Sequence, residues 1–340
     1  MKVLVTGANG LLGANLIREL IDSGVNVKAF VRPGANLKSL QGVQCEIHYG
    51  SILSYDDIHL ALENCEAVIH AASTTSVHPL EFEFYEKTNV ASTKNIVQAL
   101  MRQVSKRLVY VSTANAFGPG PQKNPGSERS PFTLAKYNSG YITSKHMAQQ
   151  YVLQHTETYN LDAVVVNPTF LIGPYDVKPS SGKIILFGLK QGKYWCPPGG
   201  KNFVHVRDVA RGIYSILKDG RQGECYLLGG ENLSYHDFFH LLNLVIGRKQ
   251  KPLVVPKGVI HAAGAIAQAW SKLTGQTLPF NKTNAQLLTL DNYYSGEKAG
   301  AEFKLPMTPI KLAIEEALDW FVKENYIAPD YSTQGTGFDL

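Results

Sequence analysis

Tyr141 and Lys145 stand four positions apart in the stretch YITSK. On a helix that spacing puts both side chains on one face. A phenol with an ordinary pKa of ~10 is a poor acid or base near neutrality. A lysine ammonium one turn away favours the phenolate and brings that pKa towards the working range. Tyr137 is the competing phenol, but no lysine follows it four positions on. Thr113 supplies a hydroxyl at the end of an apolar run, 108–112, that reads as a strand. There it can hydrogen-bond a substrate carbonyl that Tyr141 protonates as a hydride is added. Ser112 is the alternative hydroxyl, although one residue along a strand points to the opposite face.

These residues need a scaffold, and the opening stretch MKVLVTGANGLLG carries its signature. Residues 2–6 form a β-branched apolar run too short for a helix and read as a buried parallel strand. The run breaks at Gly7, Gly10 and Gly13, and a helical pattern follows. Strand, glycine turn and helix together make a dinucleotide site. Gly7 makes the tight turn, Gly10 lets backbone N–H groups approach a pyrophosphate, and Gly13 packs the helix on the strand. Asn9, Leu11 and Leu12 complete the expected phosphate loop.

A second strand over 25–31 ends in Arg32-Pro33-Gly34. An NAD site places a carboxylate about 20 positions beyond the glycines to hold the ribose. Here Val31 and Arg32 occupy that place, and arginine pairs with a 2′-phosphate, so NADPH is expected over NAD. Gly50, Ser51 and Ile52 follow a third strand and border the adenine. A fourth strand, 67–72, ends in Ala71, Ala72 and Ser73, small enough for close approach of a ligand. His70, inside that run, reads as a packed core histidine.

The rest of the chain sets bounds. Hydrophobic residues make up 44% of the 340 and charged residues 18%, as in a globular enzyme. The net charge of +5 is small, with Arg248, Lys249 and Lys251 the nearest thing to a basic cluster, which argues against nucleic acid. Four scattered cysteines with no C-x-x-C pair suit reduced thiols in the cytoplasm. The first strand starts at residue 2, so no signal peptide is expected, and the apolar run near 259–270 is too short to span a bilayer. His236 and His240 have zinc-like spacing, but Asp237 replaces the usual glutamate and no third ligand is apparent, so no metal is expected. Further helices are expected from Asn89, from about Tyr137, from about 204 to 210, and over 233–246, 259–273 and 309–322. Residues 173–200 read as irregular and substrate-shaping. The fold class is α/β, a doubly wound Rossmann sheet (1–170 plus about 203–230) with a smaller, mostly helical lobe (171–202 and about 231–325) and a flexible tail (330–340).

Taken together the motifs resemble the extended short-chain dehydrogenases/reductases, the epimerase/dehydratase superfamily. TGANGLLG, VIHAAS, TNVASTKN, YVSTANAFG, YITSK and FVHVRDVARG each match a family segment. The resemblance implies Asn89 as a member of a catalytic tetrad with Thr113, Tyr141 and Lys145. It implies Lys145 on the nicotinamide ribose and Pro168, Thr169 and Phe170 beside the nicotinamide amide. Ser51 departs from the family's usual aspartate. VVVNPTFLIGP and Arg32-Pro33 are similar to dihydroflavonol-reductase-like and hydroxysteroid-dehydrogenase-like members, and no R-x-G-D motif follows.

The expected activity is therefore reduction of a small, partly hydrophobic ketone or aldehyde by a monomer or homodimer. Between 173 and 203 the expected pocket offers Lys178, Lys183, Lys190, Lys193 and Lys201 but no arginine, beside Ile184, Ile185, Leu186, Phe187, Tyr194 and Trp195. The helix near 259–270 is expected to add apolar lining. Relatives called hopanoid-associated sugar epimerases keep a nucleotide-sugar role open, and loss of catalysis would leave a cofactor-sensing protein.

Overall fold

The alternation of apolar runs and amphipathic stretches folds as strand and helix in turn. In the computed structural model the first part runs β1 (Lys2–Thr6), α1 (Leu11–Asp22), β2 (Asn26–Val31), β3 (Glu46–Tyr49), α2 (Tyr55–Ala61) and β4 (Ala67–His70). It continues α3 (Phe82–Tyr85), α4 (Ser92–Met101), β5 (Arg107–Val111), α5 (Gly140–Tyr159) and β6 (Ala163–Pro168). Then come β7 (Phe170–Ile172), α6 (Lys183–Lys190), β8 (Trp195–Cys196), β9 (Gly200–His205), α7 (Val206–Asp219) and β10 (Cys225–Leu228). The last part is β11 (Glu231–Ser234), α8 (Tyr235–Val245), β12 (Leu253–Val254), α9 (Lys257–Thr274), α10 (Lys282–Leu288), β13 (Asp291–Asn292), α11 (Glu297–Phe303) and α12 (Ile310–Lys323). The structure describes residues 1–76, 81–103, 106–190, 195–276, 278 and 280–329. Lys193, Tyr194 and the expected tail at 330–340 lie outside them.

Seven strands form one parallel sheet in the order β10-β6-β5-β4-β1-β2-β3. Period-two alternation fills both faces. Val3 and Val5 enter the core shared with α1 and α7, while Leu4, Val68 and Leu108 enter the core shared with α2, α4 and α5. Burial on both sides explains the near-continuous Val, Ile and Leu runs. The winding reverses between β1 and β4, which opens a crevice at the carboxyl ends of those strands. The doubly wound Rossmann arrangement is thus present.

A second sheet, absent from the sequence reading, is built on β9. It pairs antiparallel with β11 and parallel with β7 and β13. Residues 204 and 205, expected to start a helix, are strand, and α7 begins only at Val206. His205 makes the switch, its Nδ1 accepting the Arg207 N–H at 3.1 Å in place of a usual capping oxygen. Residues 183–190, expected to be irregular, are helical because Ile185 and Leu189 bury against Phe239 and Leu242 of α8. Ile185 and Leu189 belong to the lobe's own core, whereas Phe187 is exposed. The helix near 259–270 forms, yet its Ile266 and Trp270 point to solvent.

Candidate active site

Backbone shape comes first. Gly7 lies at φ +68°, and a Cβ there would sit 2.7 Å from the backbone of Ala71 and Ala72. Only glycine lets the end of β1 cross the end of β4 at that distance. A Cβ on Gly13 would lie 2.2 Å from the Gly7 carbonyl, so the third glycine seats α1 on the turn. Gly10 caps α1 without a side chain, and the first intrahelical bond is from Ala14 N–H to Gly10 O at 2.9 Å. The N–H groups of Leu11, Leu12 and Gly13 therefore have no acceptor within the helix, a cradle that fits a pyrophosphate.

The flanking loops are tied to this turn. Asn9 Nδ2 donates to Asn36 O at 3.0 Å, and Ser39 Oγ donates to Asn9 O at 3.0 Å. Arg32 stands exposed directly after β2, in no ion pair among the described residues. Ser51 N–H donates to Asp57 Oδ2 at 2.7 Å, and Ile52 is buried beside it. Asp57 was not singled out in the sequence; its signal is the S-x-x-D cap, with Asp57 N–H on Ser54 Oγ. Ala72 N–H donates to Thr6 Oγ1 at 3.2 Å, which holds 71–73 against the glycine turn.

The chemical groups meet at the ends of β5 and β6. Helix α5 starts later than expected, at Gly140, because Asn138 takes a left-handed conformation (φ +50°) and Ser139 caps the new helix. Tyr137 therefore belongs to a separate turn. Tyr141 and Lys145 lie on α5 one turn apart, and Thr113 lies across from Tyr141. Burial raises the Tyr141 phenol above its ordinary pKa, and the Thr113 hydroxyl partly offsets that by hydrogen bonding. Lys145 is buried against the end of β5. Its Nζ donates to Val111 O at 2.7 Å and lies 4.5 Å above the Tyr110 ring, and burial lowers its pKa to about 7. Desolvation moves both groups towards their neutral forms.

Several positioning residues escaped the sequence reading. Asn167 Nδ2 donates to Thr113 O at 2.9 Å and to Gln149 Oε1 at 2.7 Å, fixing Thr113 between β6 and α5. Tyr85 sets its ring 6.2 Å from that of Tyr141, edge to face. Asn89 is buried inside a π-helical turn at 86–91, with the helical run starting at Phe82. Its Oδ1 accepts from Ser73 Oγ and Thr74 N, and its Nδ2 donates to Ser144 Oγ at 2.9 Å. Asn89 is thus a clamp between the loop after β4 and α5. Ser112 Oγ is buried without a hydrogen-bond partner among the described residues.

Beyond β6, Thr169 Oγ1 donates to Asn202 Oδ1 at 2.7 Å, and Phe170 packs edge-on against Phe203. Lys201 Nζ lies 5.1 Å above the Phe170 ring, and burial lowers its pKa to about 8. His70 is a core residue: Nδ1 bonds Thr6 Oγ1 at 2.7 Å and Nε2 bonds Thr93 Oγ1 at 3.2 Å. His236 pairs with Asp237 on the surface, and among the described residues no cluster of three His, Cys, Asp or Glu could hold a metal.

A model of the NAD dependent epimerase/dehydratase family matches residues 3–229. A protein of Synechocystis sp. described as a dihydroflavonol 4-reductase is 30% identical over 333 residues, covering 95% of both chains. Sterol demethylase protein B of Methylococcus capsulatus is 28% identical over 332 residues, 96% of this chain and all of that one. The crystal structure of gox2253 superposes with a TM-score of 0.84 at 27% identity, over 95% of this chain and 98% of the other. The chain therefore belongs to the NAD dependent epimerase/dehydratase family of extended short-chain dehydrogenases/reductases, an NAD(P)-dependent enzyme class.

Proposed function

We propose that the protein is an NADPH-dependent reductase of an uncharged, partly hydrophobic ketone or aldehyde. The observation that carries this reading is the buried Tyr141 phenol beside Thr113. Together the two hydroxyls can bind a carbonyl oxygen, and the Tyr141 phenol can give it a proton as hydride arrives. Thr113 orients the carbonyl oxygen, and Asn167 keeps the Thr113 backbone in place. The bound nicotinamide supplies the hydride. Lys145 holds the ribose, and Pro168, Thr169 and Phe170 border the nicotinamide side. The likeness to a relative named as a reductase over 95% of both chains supports the same direction of chemistry. Four free cysteines suit a reducing compartment, the cytoplasm.

A second reading, action on a nucleotide-linked sugar, is favoured by one observation, the Lys201 ammonium above Phe170. A diphosphate carries two charges that a site meets best with a guanidinium in fixed geometry. Residues 173–203 contain no arginine, and burial pulls Lys201 towards its neutral form. The test is NADPH consumption over a panel of ketones and aldehydes, run beside calorimetry with UDP- and dTDP-sugars on the cofactor-loaded protein. Turnover of a carbonyl compound without sugar-nucleotide binding is expected. A micromolar UDP-sugar complex that weakens in Lys201→Ala would overturn the reductase reading.

A further inference from the structure

Helix α9 is built inside out. Val259, Ala263, Ile266, Trp270 and Leu273 repeat at alternating spacings of four and three, one continuous stripe. All five are exposed, Ile266 by 70% and Leu273 by 85%. The opposite side, which carries His261, Gly264 and Ser271, is the one that packs. A Cβ on Gly264 would lie 2.5 Å from Ala285 of α10, and His261 Nε2 bonds Thr289 Oγ1 at 2.8 Å. Ser271 Oγ accepts the Leu278 N–H at 3.3 Å. A surface helix ordinarily turns its apolar stripe to the core and its polar side to water. The ribbon before α9 repeats the feature, with Trp195, Leu253 and Val254 exposed.

Charge identifies what covers this face. Residues 238–290 contain no Asp or Glu and six cations, Arg248, Lys249, Lys251, Lys257, Lys272 and Lys282. Removing those six from the 33 Lys and Arg leaves 27 against 28 carboxylates in the remainder. The whole positive excess of the chain therefore sits on the segment that holds the exposed stripe. Lys249, Lys251, Lys257, Lys272 and Lys282 enter no ion pair among the described residues. Lys257 and Lys272 stand at the two ends of α9.

We infer that α9 and its flanking lysines dock the protein on an anionic lipid bilayer, with the helix lying in the interface plane. An apolar stripe with an aromatic anchor, bordered by cations and free of acids, fits that surface. No helix among the described residues is long and apolar enough to cross a membrane, so the contact is peripheral. A second copy of the chain is the poorer occupant, because a two-fold axis would set the same lysines against one another. The packed side of α9 is linked through α10 to the turn before α5. Helix α10, on which α9 packs, donates Thr283 Oγ1 to Tyr137 O at 3.0 Å, in the turn before α5.

Vesicle co-sedimentation tests the proposal, comparing phosphatidylcholine alone with phosphatidylcholine containing roughly 30% phosphatidylglycerol. The bound fraction should rise at least about fivefold on the anionic vesicles, fall in high salt, and be accompanied by a blue shift of tryptophan fluorescence. The double variant Ile266→Glu, Leu273→Glu and the triple variant Lys249→Gln, Lys257→Gln, Lys272→Gln should each lose most of that binding. Both should keep the wild-type melting temperature and NADPH affinity. No binding, or equal binding to neutral vesicles, overturns the proposal. So does a wild-type dimer in solution that Ile266→Glu, Leu273→Glu converts to monomer, which would make this face a subunit interface.

Discussion

Asn89 and Ser144 are bonded to each other across the crevice, Nδ2 to Oγ at 2.9 Å, and Ser144 Oγ in turn donates to Tyr141 O at 2.8 Å. The π-turn and α5 are therefore one hydrogen-bonded unit. Removing the amide leaves Ser73, Thr74 and Ser144 short of partners, at about 1–3 kcal/mol for buried groups. We predict that Asn89→Ala lowers both the melting temperature and kcat, the latter at least about tenfold, as α5 loses its fixed position. Thermal unfolding and steady-state kinetics check this. A lowered melting temperature with unchanged kcat would make Asn89 purely structural.

Tyr141→Phe deletes only the transferable proton. Turnover is expected to fall by roughly 10²–10⁴ while cofactor affinity stays near wild type. Lys145→Met should damage both, since the lysine is assigned to the ribose as well as to Tyr141. Fluorescence titration of NADPH alongside initial rates separates the two effects. Near-normal activity in Tyr141→Phe, with loss in Tyr137→Phe, would move the chemistry to the turn before α5.

Arg32 is free to meet a 2′-phosphate, and no carboxylate follows β2 at the ribose position. Charge-assisted contacts of this kind contribute roughly 1.5–3 kcal/mol, so NADPH should bind about ten- to a hundredfold tighter than NADH. Arg32→Ala should erase that margin. An NADH preference, or a margin that survives the substitution, contradicts the assignment.

His70 makes stability depend on pH. Burial first, and the Lys145 charge second, lower its pKa from 6.5 to about 3. Between those values the unfolded chain binds a proton that the folded one excludes. The contribution is complete above the unfolded pKa and is lost as pH falls towards the folded one, by up to about 1.4 kcal/mol per pH unit. Urea unfolding at about pH 7 and about pH 5 should show this loss, and His70→Gln should flatten it. Identical pH dependence in the two proteins would assign the loss to other groups.

How much of this was legible depended on whether a local signal existed. Gly7 and Gly13 announce a backbone path that other residues cannot follow, so the phosphate turn could be read directly. The inner parallel strands were legible because burial on both faces demands unbroken apolar runs, which the edge strand β3 lacks. The second sheet was not, since β13 has two residues and β7 three, too short for any periodicity. FVHV runs straight into the amphipathic pattern of α7, and only the His205 side chain marks the change. Asn167 and Asn202 look like ordinary polar residues until their partners, far off in sequence, come into contact, and Asn89 stood out only through the family resemblance. The sequence could likewise show that α9 is amphipathic, but not which side faces out.

Asn202 has a mechanical consequence. Its amide donates to Gly230 O, Asn232 Oδ1 and Tyr294 O, while its carbonyl receives Gly230 N and Thr169 Oγ1. Three of these five bonds, those to Thr169 and Gly230, rivet the exit of the large sheet to the small one. The two sheets cannot part at that seam without leaving buried groups unsatisfied together. The exits of β6 and β10 are therefore bound to the small sheet as one body.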